Sequence, residues 1–267
     1  VSEFSIIQSV QNSMVKHAYS LKKPKQLKDS VDFLCEGFHL VEEALASGLN
    51  LRYVFATPEV DKTEAGKKLQ AECHRQKTRW VLVHPKIINY VSETATPQGI
   101  LAVVEKPAVR WPAADAKILL CVDQVQDAGN LGTLFRSAAA FGAGGVLMTE
   151  GCCDVFNPKV VRSAMGALFK VPFQEKLFWP AAMDWLKQNG FQSLALTSHE
   201  APPLVGMVLP SKTALWVGSE GAGLSEELMK ACDARVSIPM TGEMESLNAG
   251  VAGSLALFWA RHGKPVS

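Results

Sequence analysis

Three short stretches of this chain combine glycine with polar side chains, and each lies between a strand-like and a helix-like run. The first, DAGNLGTLFRS, places Asn130 between Gly129 and Gly132 and sets Arg136 six residues further on. The second, Gly218-Ser219-Glu220-Gly221-Ala222-Gly223, centres on Glu220, and the third, IPMTGEMESLNAG, carries Ser246 and Asn248. Glycines let a ligand approach the backbone closely. An asparagine amide offers both donor and acceptor, and a guanidinium offers permanent positive charge in a rigid fork. Glu220 is poorly placed for a pyrophosphate, because two anions would share a confined space. It suits a cationic or hydroxyl-bearing ligand.

Ordinary readings compete with each stretch. Gly129 and Gly132 after a strand, with Glu150 18 residues past Gly132, invite a dinucleotide site and a nicotinamide-dependent dehydrogenase. That fingerprint requires G-x-G-x-x-G, and the third glycine is missing. Ser225 followed by Glu226 and Glu227 reads as a helix cap with first-turn acids, which leaves the preceding glycines unexplained. Ser246 reads either as a cap or as a site residue. The small residues of LNAGVAGSLALFWA read as a helix-packing face.

The elements that must position these residues follow from the apolar pattern. Ile6, Ile7, Val10, Met14 and Val15 share roughly one helical face, with His17 and the lysines at or beyond its end. Strands DFLCEG, LRYVFA, RWVLV and QGILAVVE then alternate with helices, one of them closed by Gly48. This pattern predicts a small α/β domain over 1–105. KPAVRWPAADAK, with two prolines and no apolar period, predicts a linker over 106–116. Beyond it KILLCVDQV, GGVLMTE, LFKVPF, FQSLALTS, ALWVGSEG and ARVSIPM alternate with helices near 131–141, 158–168, 180–189, 225–231 and 247–262. Continuous apolar strands separated by helices predict an α/β domain over 117–267 with a parallel sheet covered on both faces. In such sheets ligands sit beyond the carboxyl ends of the strands, where all three stretches fall.

Composition narrows the function classes. Of 267 residues 48% are hydrophobic and 20% charged, a balance that excludes global disorder. Residues 1–110 carry 15 Lys/Arg against 12 Asp/Glu, and 111–267 carry 12 against 14. The basic excess gathers in VKHAYSLKKPKQLK, read either as a solvated face or as a polyanion contact. The six cysteines form no CxxC pair; Cys121 reads as a buried thiol, and the vicinal Cys152–Cys153 leaves a redox or metal role open. His17, His39, His74, His84, His199 and His262 lack ligand spacing, so no metal is expected. No leader and no apolar run of about 18 residues is visible, so a reduced, cytoplasmic setting without a membrane is expected.

Taken together, Asn130…Arg136, Gly218–Ser225 and Ile238–Met240…Ser246–Asn248 resemble the N-x5-R, G-S-E-G-x-G-[LI]-S and I-P-M…S-L-N motifs of one family. It is the SpoU (TrmH-like) branch of the SPOUT RNA 2′-O-methyltransferases. NPKVVRSAMGALFKVPF is similar to that family's intermediate segment. VKHAYSL, FLCEGFHLVEEAL and TPQGILAV resemble the L30e-like substrate-binding domain often fused to it. The chain departs from the pattern where S-L-N-V-S would continue, with Ala249 and Gly250 in the last two places.

The resemblance implies a deep trefoil knot in the C-terminal domain, a known exception to the rule against threaded chains. It implies S-adenosylmethionine as cofactor, held by Thr197, Ser198, Gly218, Ser219, Gly221, Ile238, Pro239, Met240 and Leu247. It also implies a homodimer formed through the knotted domain. The substrate implied is structured RNA, preferably 23S ribosomal RNA, with transfer RNA and a non-catalytic RNA-binding relative as alternatives. Asn130, Arg136, Glu220, Ser246 and Asn248 become the catalytic set, and Lys16, Lys22, Lys23, Arg162 and Ser163 the RNA contacts. Arg162 reads equally as an ordinary surface arginine. A guanidinium with a pKa above about 12 yields its proton reluctantly. Arg136 is therefore read as a charge that acidifies the hydroxyl, with a phosphate or water taking the proton.

Overall fold

The computed structural model describes residues 6–198, 201–241 and 245–263. His199, and the Gly242–Met244 part of the third stretch, lie outside the described residues. The elements run α1 (Ser13–Ser20), α2 (Pro24–Asp29), β1 (Asp32–Glu36), α3 (Phe38–Ala46), β2 (Leu51–Ala56), α4 (Pro58–Lys62) and α5 (Glu64–Arg75). There follow β3 (Arg79–Leu82), α6 (Pro85–Val91), β4 (Ile100–Glu105), β5 (Ile118–Val122), α7 (Ala128–Ala140), β6 (Val146–Thr149) and α8 (Pro158–Ala164). The chain continues as β7 (Phe173–Leu177), α9 (Trp179–Gln188), β8 (Gln192–Thr197), β9 (Thr213–Val217), α10 (Glu226–Ala231), β10 (Ala234–Ser237) and α11 (Ala249–His262).

Contacts divide the chain into two compact units. One is Val1–Pro107 together with Phe156–Phe169; the other is Ala108–Val155 with Lys170–Ser267. Chain order alone assigns 156–169 to the second part, but packing decides otherwise. Phe156 and Phe169 both lie against the buried ring of Phe33, at centroid distances of 4.9 and 6.0 Å.

In the first unit the four strands are ordered β1-β4-β2-β3, antiparallel except for the β2–β3 pair. Its start differs from the amphipathic helix expected from Ile6 onward. Ile7 instead bridges Val83 beside β3, exchanging backbone hydrogen bonds with Leu82 and His84. The helix begins only after Asn12, whose side chain accepts from the Met14 N–H. An apolar spacing that fits both conformations is resolved here by an available sheet edge and an available cap.

The second unit is a six-stranded parallel sheet ordered β10-β8-β9-β5-β6-β7. Three expectations shift in detail. LFKVPF was expected as a strand, but Ala167–Phe169 is a 3-10 turn and pairing begins at Phe173. The helix expected over 158–168 stops at Ala164, where Met165 turns left-handed at φ 51°. The last helix starts at Ala249, capped by Asn248 rather than Ser246. In the described residues no helix is long and apolar enough to cross a membrane.

The strand order dictates where a site can form. The chain builds outward from β5 to β6 and β7, then returns so that β9 lies against the free side of β5, with Val122 opposite Val217. The segments leaving β5 and β9 therefore emerge side by side at the point where the winding reverses, the usual ligand position in such sheets.

Candidate active site

The start of a helix and a glycine loop meet at that reversal although 90 residues separate their key side chains. After β5 the chain turns into α7, with Asp127 as N-cap accepting from the Asn130 N–H at 2.8 Å. This cap fixes the first turn of the helix and directs the buried Asn130 amide sideways. The Asn130 Nδ2 then donates to Glu220 Oε1 at 2.8 Å. The same carboxylate also accepts from the backbone N–H groups of Gln126 and Asp127, at 3.4 and 3.3 Å. Burial works against the charge on Glu220, but the Asn130 amide and these backbone donors outweigh it and hold its pKa below the usual value. Glu220 stays ionised at neutral pH and locks the orientation of Asn130.

The glycine loop itself is folded tightly. Ser219 and Gly223 exchange backbone hydrogen bonds at 3.1 and 3.0 Å, which brings Gly218 against the far side of the loop. A Cβ on Gly218 would lie 2.1 Å from the Gly223 carbonyl carbon and 2.2 Å from the Leu224 nitrogen. Only glycine closes this turn.

Beside the loop lies a cavity of about 620 Å³, within the range typical of small-molecule sites. Thr197, Ser198, Gly218, Ser219, Gly221, Ile238, Met240 and Leu247 line it, as do Glu220 and Ser246. Pro239 does not line it, although its neighbours on both sides do. Apolar side chains from Leu196, Ile238 and Met240 offer a surface for a flat base, while Gly221 has open space where a Cβ would stand. Glu245, Ala249 and Ala252 also line the cavity, and nothing in their spacing singled them out.

Asn248, flanked by two lining residues, caps α11 by accepting from the Val251 N–H at 3.2 Å. The departure at Gly250 has a geometric reason. A Cβ there would stand 3.1 Å from Asn248 Oδ1 and 3.3 Å from Asn130 Oδ1, tighter than almost all such contacts. Gly250 thus lets α11 approach the Asn130 amide.

Arg136 is the exception among the site candidates. It is exposed and does not line the cavity. Six residues at 100° each turn it about a third of the way round α7 from Asn130. The α7 face carrying Leu134 and Ser137 meets α11, where Ser137 and Ser254 hydroxyls lie 2.6 Å apart. Arg136 points elsewhere.

In the first unit, Lys16 and Lys23 are exposed. Lys22 donates to the Ser92 and Tyr90 carbonyls at 2.7 and 3.3 Å. Arg162 is not an ordinary surface arginine, being half-buried and paired. Its guanidinium lies 3.7 Å from Glu36 and 3.8 Å from Glu93, which already match its charge. Ser163 is half-buried beside it. Cys152 and Cys153 are not joined as a disulfide, and burial pushes the Cys152 thiol up to about 11, which leaves it protonated at neutral pH.

A family model described as the SpoU rRNA methylase family matches residues 117–258, more than half of the chain. The chain belongs to the SpoU rRNA methylase family. A second model, the MRM3-like substrate binding domain, matches residues 12–102 of this SpoU protein. It is 34% identical over 257 residues to the 23S rRNA (guanosine(2553)-2′-O)-methyltransferase of Bacillus subtilis, covering 96% of this chain and 98% of that one. Among solved structures, the AdoMet-bound rRNA methyltransferase of Sinorhizobium meliloti is 27% identical with a TM-score of 0.84, covering 96% and 97%. A SpoU methyltransferase of Streptomyces viridochromogenes in complex with AdoMet is also 27% identical at a TM-score of 0.84, covering 94% and 97%. The site of this SpoU methylase is therefore one where glycine backbone and apolar side chains fit a nucleoside cofactor, with the Asn130–Glu220 pair at its edge.

Proposed function

We propose that this SpoU methylase transfers a methyl group to a ribose 2′-hydroxyl of 23S ribosomal RNA. The observation that carries the reading is the Asn130–Glu220 pair beside a glycine-walled cavity, in a chain similar over nearly its whole length to a 23S enzyme. In this reading residues 117–267 perform the transfer and residues 1–105 hold the RNA. S-adenosylmethionine, when bound, supplies an electrophilic methyl on a sulfonium sulfur. Thr197, Ser198, Ile238, Met240 and the backbone of 218–221 hold it, and Glu220 and Glu245 place negative charge near a cationic ligand.

Asn130, locked by Glu220, and Ser246 orient the ribose. The 2′-oxygen would gain the methyl as the bond from that carbon to the sulfonium sulfur breaks, its electron pair staying on sulfur as a neutral thioether, and the oxygen would give its proton to a phosphate oxygen or to water. Arg136 supplies positive charge where the oxygen becomes negative. Because Arg136 lies outside the cavity of its own chain, a second copy must present it. A homodimer through α11 fits this: Val251, Leu255 and Phe258 are 46%, 43% and 49% exposed and line one face of that helix. A cytoplasmic location accords with the proposed substrate.

Gly218→Ala is expected to lower the melting temperature by several degrees, because the added Cβ meets backbone beside the core residue Leu224. S-adenosylmethionine binding, read by calorimetry, should weaken roughly tenfold or more as the crowded turn opens.

The functional reading is tested by mapping 2′-O-methyl sites in ribosomal RNA from cells with and without the gene. One 23S site should vanish and return when purified protein and S-adenosylmethionine are added to the unmodified RNA. Loss of a site in transfer RNA alone, or of none, would overturn the substrate assignment.

A further inference from the structure

Helices α1 and α6 pack together in the first unit and bring two tyrosines face to face. The rings of Tyr19 and Tyr90 stack at 4.3 Å between centroids and 11° between planes. Tyr19 rests against the hydrophobic core, and Tyr90 is the outward ring, 39% exposed. Two ammonium groups lie close to Tyr19, Lys22 at 5.4 Å and Lys23 at 5.2 Å from the ring centroid. Lys22 is held there by the carbonyls of Ser92 and Tyr90, so it ties the two helices and buttresses the pair. Lys23 is exposed.

The two segments that carry the pair are basic in their own composition. Residues 12–28 and 84–92 contain Lys16, Lys22, Lys23, Lys25, Lys28 and Lys86 and no aspartate or glutamate, while Asp29 and Glu93 follow directly and Glu36 accepts from the Ser92 hydroxyl. A solvated basic face needs no aromatic pair at its centre, and a core aromatic pair has no use for surrounding lysines. Together they make the combination that single-stranded nucleic acid requires: a π-face for a base and cations for the flanking phosphates. A duplex hides its base faces in the stack and does not use such a surface.

We infer that Tyr90, backed by Tyr19, is a stacking platform for an unpaired nucleobase of the RNA substrate, with Lys23 and its neighbours holding the adjoining phosphates. The inference rests on the proposed activity for the identity of the RNA. It goes beyond that activity in assigning the readout to a base outside the methyl-transfer site, in a single-stranded segment. Lys22 is a positioning residue in this arrangement and not a phosphate ligand.

The test uses the full-length protein and a ten-nucleotide single-stranded RNA carrying one 2-aminopurine, whose fluorescence falls on stacking. Wild type is expected to quench the probe, and Tyr90→Phe to match it, since the ring and not the hydroxyl carries the contact. Tyr90→Leu keeps apolar bulk but lacks the π-face, and should lose the quench and bind at least about fivefold more weakly. Lys23→Ala should reduce the slope of log affinity against log salt by about 0.7, one phosphate on a single strand. Calorimetric binding of S-adenosylmethionine should be unchanged in all three variants. A Tyr90→Leu protein that quenches and binds within twofold of wild type would overturn the platform. If wild type quenches the probe through Tyr90 but methylates no 23S RNA, the platform stands and the proposed activity falls.

Discussion

Arg136→Ala is expected to lower methyl transfer to 23S RNA by about a hundredfold to a thousandfold, the usual effect of removing a group that stabilises charge on the reacting oxygen. S-adenosylmethionine binding should be unaffected, because Arg136 does not line the cavity. Arg136→Lys keeps the charge but not the fork, and should recover only a minor part of the activity. The sharper test is complementation. An Arg136→Ala subunit with an intact pocket, mixed with an Asn130→Ala subunit with an intact arginine, should form a heterodimer that has one complete site. Activity in the mixture near a quarter of wild type, from two individually inactive proteins, is the expected result. If mixed subunits exchange and still show nothing above the separate variants, Arg136 does not act across the dimer. The proposed role then has no geometry to support it, since the arginine lies away from its own pocket.

The second large effect concerns the contact between the first turn of α7 and the glycine loop. Asn130→Asp replaces the donor that faces Glu220 at 2.8 Å with another carboxylate. Two like charges at that distance cannot both persist, so one must bind a proton or the helix start and the loop must part. Transfer at neutral pH should fall by at least about a hundredfold. In wild type the sign is the reverse. The pKa of Glu220 is held below the ordinary value, so the pair is fully formed above the usual carboxylate range and is lost only as pH falls through the lowered pKa. Transfer by wild type, followed between pH 8 and 6, should therefore show no titration from this pair. Asn130→Asp should instead gain relative activity as pH falls and the two carboxylates come to share a proton. Combining Asn130→Asp with Glu220→Gln restores one donor and one acceptor, and should recover part of what the single variant loses. A double variant no better than Asn130→Asp at every pH would mean that Asn130 acts by something other than its bond to Glu220.

Much of this architecture is legible in the amino-acid order. Apolar runs and prolines place the strands of both sheets, and the alternation of β5–α7–β6 through β8 predicts a parallel sheet. The second and third glycine-containing stretches are visible as loops at strand ends, whereas the first, expected as a turn before a helix near 131, is already helical from Ala128. Helical geometry even fixes the angle between Asn130 and Arg136. The errors are local competitions that spacing does not resolve. Ile6–Val15 fits a helix or an edge pairing equally, and Asn248 and Ser246 are both good caps.

By itself, the sequence determined which residues can do chemistry, which elements carry them and that the chain is built as two α/β parts. The tertiary structure alone decided the partnerships. Glu220 meets Asn130 because β9 returns to the free side of β5, a pairing between strands more than 90 residues apart that no local pattern encodes. Gly250 matters because α11 crosses α7 there. Segment 156–169 leaves its chain neighbours because Phe33 offers its rings a buried site. Periodicity is a property of neighbours along the chain, whereas long-range contacts follow from how buried faces fill a common core.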